Sequence, residues 1–385
     1  MASTSRPSVF ISSLLDSMGF SRHMIDFRIN NTRCWDIIAA LQDPEIGYII
    51  TGGKADGTSQ FDHGDIDSML VNKSITVSSR HVNPPTPQHT MLNTDDRDVH
   101  PGYTWLRVAH HGDMDDIMKP SLILMARANS GRHFYLSSRV FNDIAQKYLW
   151  GLSPSSMQLQ QISGPSQPVF FKGIQTDLVH AFNHPDWPVH ASQWLQRCRR
   201  HGWPPEAMVR LIEHCGCHVV PKGFKGSSTE DMEWCFSFAL HERSIVQLFN
   251  LTQMHVYILL KIIAKFLKNT YPDFANLVTS YTMKTVALWL VELHHAREWD
   301  RVHLLDRLKD ALRFLISCVE SQNLPAYFIP ENNLFDGKIN VDTSESLAYV
   351  LKPFLSQGVD CVLIFSCIHT ERHTQNITGQ RRLSS

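Results

Sequence analysis

Two hydrophobic periods divide the chain. Up to about residue 230, short apolar runs alternate with polar stretches and turn residues. Beyond it, apolar residues recur every three to four positions, the spacing of one helix face. Residues 7–45 open the chain with a helical pattern, Leu14, Leu15 and Met18 followed by Ile37, Ile38 and Leu41. Residues 47–77 then read as strand, glycine turn, loop and strand. The polar stretch Arg80–Asp98, with Pro84-Pro85 and Pro87, predicts an exposed loop. Further β-like runs stand at Tyr103–Val108, Leu122–Ala126 and Val169–Phe182. In the second half, Val256, Leu259, Leu260, Ile263, Phe266 and Leu267 mark a helix, with Lys261, Lys265 and Lys268 on another face. Two more helices are predicted over roughly 279–294 and 301–320. The pattern predicts an α+β protein in which a mixed sheet half (1–228) leads into a helical half (229–368). A polar tail follows over 369–385, and the apolar run Val359–Ile368 has no clear assignment.

Within that pattern, Asp65-Ile66-Asp67 stands twelve residues after Gly52-Gly53. Residues i and i+2 of a strand point to one face, so Asp65 and Asp67 are expected side by side. Like charges that close call for a cation between them. A divalent metal beside a glycine loop points to phosphate chemistry. Asp177, inside the apolar run that follows Val169, is a third carboxylate that would be costly to bury alone. Three convergent acids would hold two divalent ions, one activating a hydroxyl and one neutralising a triphosphate leaving group. The alternative is two solvated carboxylates at a strand start, where Asp is common.

Composition narrows the function classes. The 385 residues carry 36 Lys and Arg against 37 Asp and Glu, so no global charge draws the protein to nucleic acid or membrane. No run approaches the roughly 18 apolar residues of a membrane span, and the apolar stretch after Val9 is too short for a signal peptide. Eight scattered Cys then read as reduced thiols, and the expected compartment is the cytosol. Cys215-Gly216-Cys217-His218 has metal-ligand residue types, but its spacing is tight and a fourth partner is lacking, so core thiols are the better reading.

The residues that follow resemble a known family. Trp194-Leu195-Gln196-Arg197, Arg199-Arg200-His201-Gly202-Trp203-Pro204, Cys217-His218-Val219-Val220-Pro221-Lys222, Glu233-Trp234 with Ser237-Phe238, Tyr257–Lys261, Ser280–Thr285, Trp299-Asp300-Arg301 and Tyr327–Glu331 come in family order. With the acids, they resemble the cyclic GMP-AMP synthase-like receptors and the related male-abnormal (Mab) developmental proteins, over roughly residues 47–335. The resemblance implies a bilobal nucleotidyltransferase with nucleotides bound between a sheet lobe and a helical lobe. It implies Asp65, Asp67 and Asp177 as catalytic acids holding Mg2+ or Mn2+, and Gly52-Gly53 as the loop under the triphosphate. It also implies Lys261, Lys284 and Ser280 on phosphate oxygens, Tyr281 stacked on a base, and Glu242 near the nucleotide. Substrates would be ATP and GTP or other nucleoside triphosphates, and the product a cyclic dinucleotide read by a downstream receptor in innate immunity. The non-catalytic alternative is a Mab-type scaffold.

Three departures from the family pattern matter. Gly53 replaces a serine whose hydroxyl is a phosphate ligand, and Cys235 replaces a guanine-reading Arg. The His/Cys zinc insertion of the vertebrate DNA sensor is missing, since Asn250–Val256 offers only His255, and no zinc is expected. Arg197, Arg199, Arg200 and Lys222 form the densest basic stretch. By resemblance it would contact double-stranded RNA as an activating ligand, and otherwise it is a solvated face whose Arg stems lie over apolar surface.

Overall fold

The computed structural model describes residues 5–42, 45–59, 65–113, 118–126, 131–152, 157–159, 166–171 and 174–356. The run Val359–Ile368 and the tail lie outside them. The strand–turn–strand at the start is present. Ile46–Thr51 (β1) runs antiparallel to Ile66–Ser78 (β2), with Thr51 opposite Asp67. The first half of β2 also runs parallel to Ile174–His184 (β9), with Asp67 opposite Asp177. Its second half runs parallel to Thr90–Asp95 (β3). The register shifts between Asn72 and Thr76, as a bulge does where one strand must bend to serve two neighbours. From β3 the ladder continues through Tyr103–His110 (β4), Glu233–Ser237 (β11) and Cys217–Val220 (β10) back to β9. The sheet therefore closes on itself through β2. A hairpin of Leu122–Ala126 (β5) and Arg132–Leu136 (β6) branches from β4, and Met157–Leu159 (β7) and Ser166–Phe171 (β8) extend the sheet beyond β9.

Three expectations change here. The stretch Arg80–Asp98 is not all loop, because β3 lies inside it with Met91 and Leu92 buried. The run Val169–Phe182 is two antiparallel strands, β8 and β9. A lobe boundary at 228 falls short, since β11 pairs with both β4 and β10 and belongs to the sheet.

The helices are Ser5–Leu15 (α1), Arg22–Gln42 (α2), Gly52–Ala55 (α3), Ser138–Leu152 (α4), Ser192–Gln196 (α5), Glu206–Cys215 (α6), Ala239–Val246 (α7), Leu251–Thr270 (α8), Ser280–Leu293 (α9), Leu304–Glu320 (α10) and Val341–Ser356 (α11). Helix α8 begins with a reciprocal cap. The Asn250 side chain accepts from the Gln253 amide, and the Gln253 side chain accepts from the Asn250 amide, satisfying donors that a bare helix start leaves open. Its Val256, Leu259, Leu260, Ile263 and Leu267 are buried as the period predicts, while Phe266 is only half-buried. One apolar core runs from Leu92, Leu106, Phe182 and Trp234 of the sheet into Tyr257, Leu260, Leu288 and Leu312 of the helices. The N-terminal helix packs on the helical half, not on the sheet. Ser12 Oγ donates to His255 Nδ1 at 3.0 Å, and Ser8 Oγ accepts from the Leu305 amide at 3.2 Å. His255 Nε2 meets the Phe20 carbonyl at 2.9 Å, so both ring nitrogens serve packing.

Candidate active site

The ends of three strands build the site. β1 stops at Thr51 beside Asp67, and the chain turns at Gly52 with φ +64°, a conformation that favours glycine. A Cβ there would fall on the Asp67 carboxylate, so Gly52 is required both by its backbone and by the acid packed over it. Asp67 on β2 faces Asp177 on β9, and Asp65 immediately precedes β2. One oxygen from each of the three carboxylates lies within 4.8 Å of the others. Among the described residues this is the one cluster of His, Cys, Asp and Glu with that geometry.

The electrostatics of the cluster favour a cation. Burial first, then the charges of Asp65 and Asp177, push Asp67 up to about 6. Burial and Asp65 also raise Asp177, whose Oδ1 is buried without a hydrogen-bond partner. Hard oxygen donors with an orphaned carboxylate oxygen fit Mg2+ or Mn2+. The sign of the pH effect follows. A carboxylate raised in the folded state contributes stability that is present in acid and is lost as pH rises through about 6. A divalent ion offsets that loss only where the acids are ionised. In differential scanning fluorimetry, Mn2+ is expected to raise the melting temperature at pH 7.5 and to leave it nearly unchanged at pH 5. An equal shift at both values would place the ion elsewhere.

A cleft of about 560 Å³ opens from the acids towards α8 and α9. Lys261 points into it, donating to Thr58 Oγ1 at 2.8 Å, while Lys265 and Lys268 face solvent. Burial lowers Lys261 to about 8. Ser280 and Tyr281, at the start of α9, line the same cleft. Tyr281 leaves 46% of its surface open. Lys284 lies deeper. Its Nζ is 3.1 Å from Asp56 and 3.7 Å from Glu242. Tyr257 donates to the same Asp56 oxygen at 3.2 Å. Burial alone would lower Lys284, but Asp56 and Glu242 outweigh it and hold the amine above its ordinary value. Lys284 and Glu242 thus form a buried ionic floor with Asp56, a member not apparent from the chain order. Cys235 also lines the cleft, with Tyr103, Phe224 and Phe328.

The expected basic groove divides. Arg197 is held in the fold: it meets Glu292 at 3.2 Å, donates to the Tyr327 carbonyl and lies 4.2 Å over the Trp289 ring. Arg199 donates to the carbonyls of Trp194 and Arg197. Lys222 lines the nucleotide-sized cleft, and Arg200 is exposed. Arg197→Ala is expected to destabilise the fold by roughly 3–5 kcal/mol, because it strands the buried Glu292 carboxylate. Arg200→Ala should fall within about 0.5 kcal/mol of wild type. Denaturant melts of the two variants separate these outcomes, and equal stability would remove the structural role of Arg197.

A mixed sheet carrying three acids at a cleft, closed by helices, defines a nucleotidyltransferase-type fold. Residues 81–248 match the Mab-21 protein nucleotidyltransferase domain, and residues 252–352 match the Mab-21 protein HhH/H2TH-like domain. The matches cover most of the chain, which belongs to the Mab-21 family. Gly52, Asp65 and Asp67 precede the matched stretch, so their place in the site rests on the register of β1, β2 and β9. Among the described residues no helix is long and apolar enough to cross a membrane.

Proposed function

We propose that this protein is a nucleotidyltransferase dependent on Mg2+ or Mn2+ that joins two ribonucleoside triphosphates into a cyclic dinucleotide in the cytosol, in response to double-stranded RNA. The observation that carries the reading is the pairing of Asp67 with Asp177 across adjacent parallel strands, with Asp65 alongside, at the mouth of a cleft that also holds Lys261. Asp65, Asp67 and Asp177 would hold the metal ions. Bound ions supply charge neutralisation at the triphosphate and a lowered pKa for the attacking ribose hydroxyl. Lys261 sets an ammonium against phosphate oxygens, and Ser280 adds a hydroxyl donor. Tyr281 offers a ring face to a base. Cys235 has no donor fork with which to read guanine, so selectivity for guanine is not expected from that residue.

The test is a radiolabelled nucleotide assay with Mg2+ or Mn2+, with and without double-stranded RNA, and product identification by mass spectrometry. A phosphatase-resistant cyclic product is expected. Folded protein that forms no product with any nucleotide or nucleic acid would overturn the enzymatic reading. It would favour a nucleotide-binding scaffold, the alternative that Gly53 and Cys235 support.

A further inference from the structure

The phosphate half of the glycine turn lacks a side-chain hydroxyl at residue 53, yet the space is not empty. A Cβ built on Gly53 would fall on the Ser59 hydroxyl, and Lys261 Nζ lies 2.7 Å from the same point. The chain reaches this position because the loop after α3 folds back over the turn. The amides of Thr58 and Ser59 both donate to the Gly53 carbonyl at 3.0 Å. The Ser59 hydroxyl lines the cleft, and among the described residues it has no hydrogen-bond partner.

An unpartnered hydroxyl beside a lysine ammonium, next to a carboxylate cluster suited to divalent ions, has the chemistry of a phosphate ligand. We propose that Ser59 binds the triphosphate of the substrate, its hydroxyl taking from six residues downstream the place that a side chain at residue 53 would occupy. The assignment rests on the cleft being a nucleotide site. It also gives Gly53 a reason: any side chain there would displace Ser59.

The geometry makes the hydroxyl transferable. With Ser59 reduced to Ala, its Cβ would stand 3.4 Å from a Cβ at residue 53, an ordinary van der Waals contact. Gly53 has no left-handed φ, so serine is admissible there, and the Lys261 amine is the end of a flexible chain that can shift. The probe is inorganic tripolyphosphate with Mn2+, titrated into the full chain by calorimetry, which removes base selectivity from the readout. Ser59→Ala is expected to bind about tenfold more weakly than wild type. The double variant Gly53→Ser/Ser59→Ala is expected to return to within about twofold of wild type. Melting temperatures of both variants confirm folding. Wild-type affinity in Ser59→Ala, or no recovery in the folded double variant, would overturn the assignment while leaving the cleft reading intact. Failure of the wild type itself to bind tripolyphosphate would overturn both.

Discussion

Asp67→Asn and Asp177→Asn are each expected to cut nucleotidyl transfer by at least about a thousandfold, and to leave the metal-free protein as stable as wild type or more so. A bound metal ion contributes several kcal/mol of transition-state stabilisation, and about 4 kcal/mol corresponds to a thousandfold in rate. Asn keeps the size of the side chain and one acceptor oxygen but removes a charge on which the divalent ion depends. Stability should move the other way. Burial and two like charges hold Asp67 up at about 6, so at neutral pH its ionised form costs the metal-free fold. Asp177 is raised by burial and by Asp65. Removing either charge relieves repulsion between groups whose oxygens converge within 4.8 Å. The paired readout is product formation with Mn2+ and the melting temperature in EDTA. Transfer within tenfold of wild type would show that the chemistry does not pass through this cluster. A sharp loss of stability in EDTA would instead show that the acids serve the fold.

Two of the acids were legible in the sequence because an i, i+2 spacing at a strand start predicts one face, a period that needs no tertiary information. Their third member was legible as an acid in an apolar run, but its partner was not. Pairing Asp67 with Asp177 joins positions more than a hundred residues apart through a parallel ladder, and nothing local in either segment encodes that neighbour. β3 was hidden for a different reason. Its Thr90-Met91-Leu92-Asn93-Thr94 is mostly polar, is preceded by prolines, and is buried only because β2 and β4 flank it. The lysines divide in the same way. Lys261, Lys265 and Lys268 have one chemistry and one helix, and only the cleft distinguishes the first from the other two. Arg197 and Arg199 read as a basic patch because side-chain charge is visible in a sequence, whereas the buried Glu292 and the carbonyls that hold them are not.

Lys284→Met is expected to destabilise the protein by roughly 3–5 kcal/mol at neutral pH, the cost of breaking a buried ion pair by removing one partner. Met is close to Lys in length, so the change removes a charge with little loss of volume. Asp56 is fully buried, and Glu242 is buried beside it. The Tyr257 hydroxyl still donates to Asp56, but among the described residues no cation would remain in direct contact with the two carboxylates. Burial already raises Glu242, and Asp56 adds to that, with Lys284 pulling the other way. Without Lys284 the Glu242 carboxyl rises further above its unfolded value. A group raised in the folded state contributes stability present in acid and lost as pH rises through its folded pKa. The gap between wild type and variant should therefore be widest at pH 8 and should narrow towards pH 5, as the stranded Glu242 takes up a proton. The amine's own titration lies above this window, because its pKa is held above the ordinary lysine value. Denaturant melts across pH 5–8 give the measurement, with Glu242→Gln/Lys284→Met as the partner variant, expected to recover part of the loss. The same experiment decides what Lys284 is for. A lysine whose task is to meet phosphate would, when replaced, weaken tripolyphosphate binding and leave the pH profile of stability flat. A lysine that neutralises the floor beneath Asp67 would bend that profile in the direction given. The 3.1 Å contact with Asp56, made by an amine almost closed to solvent, argues for the floor.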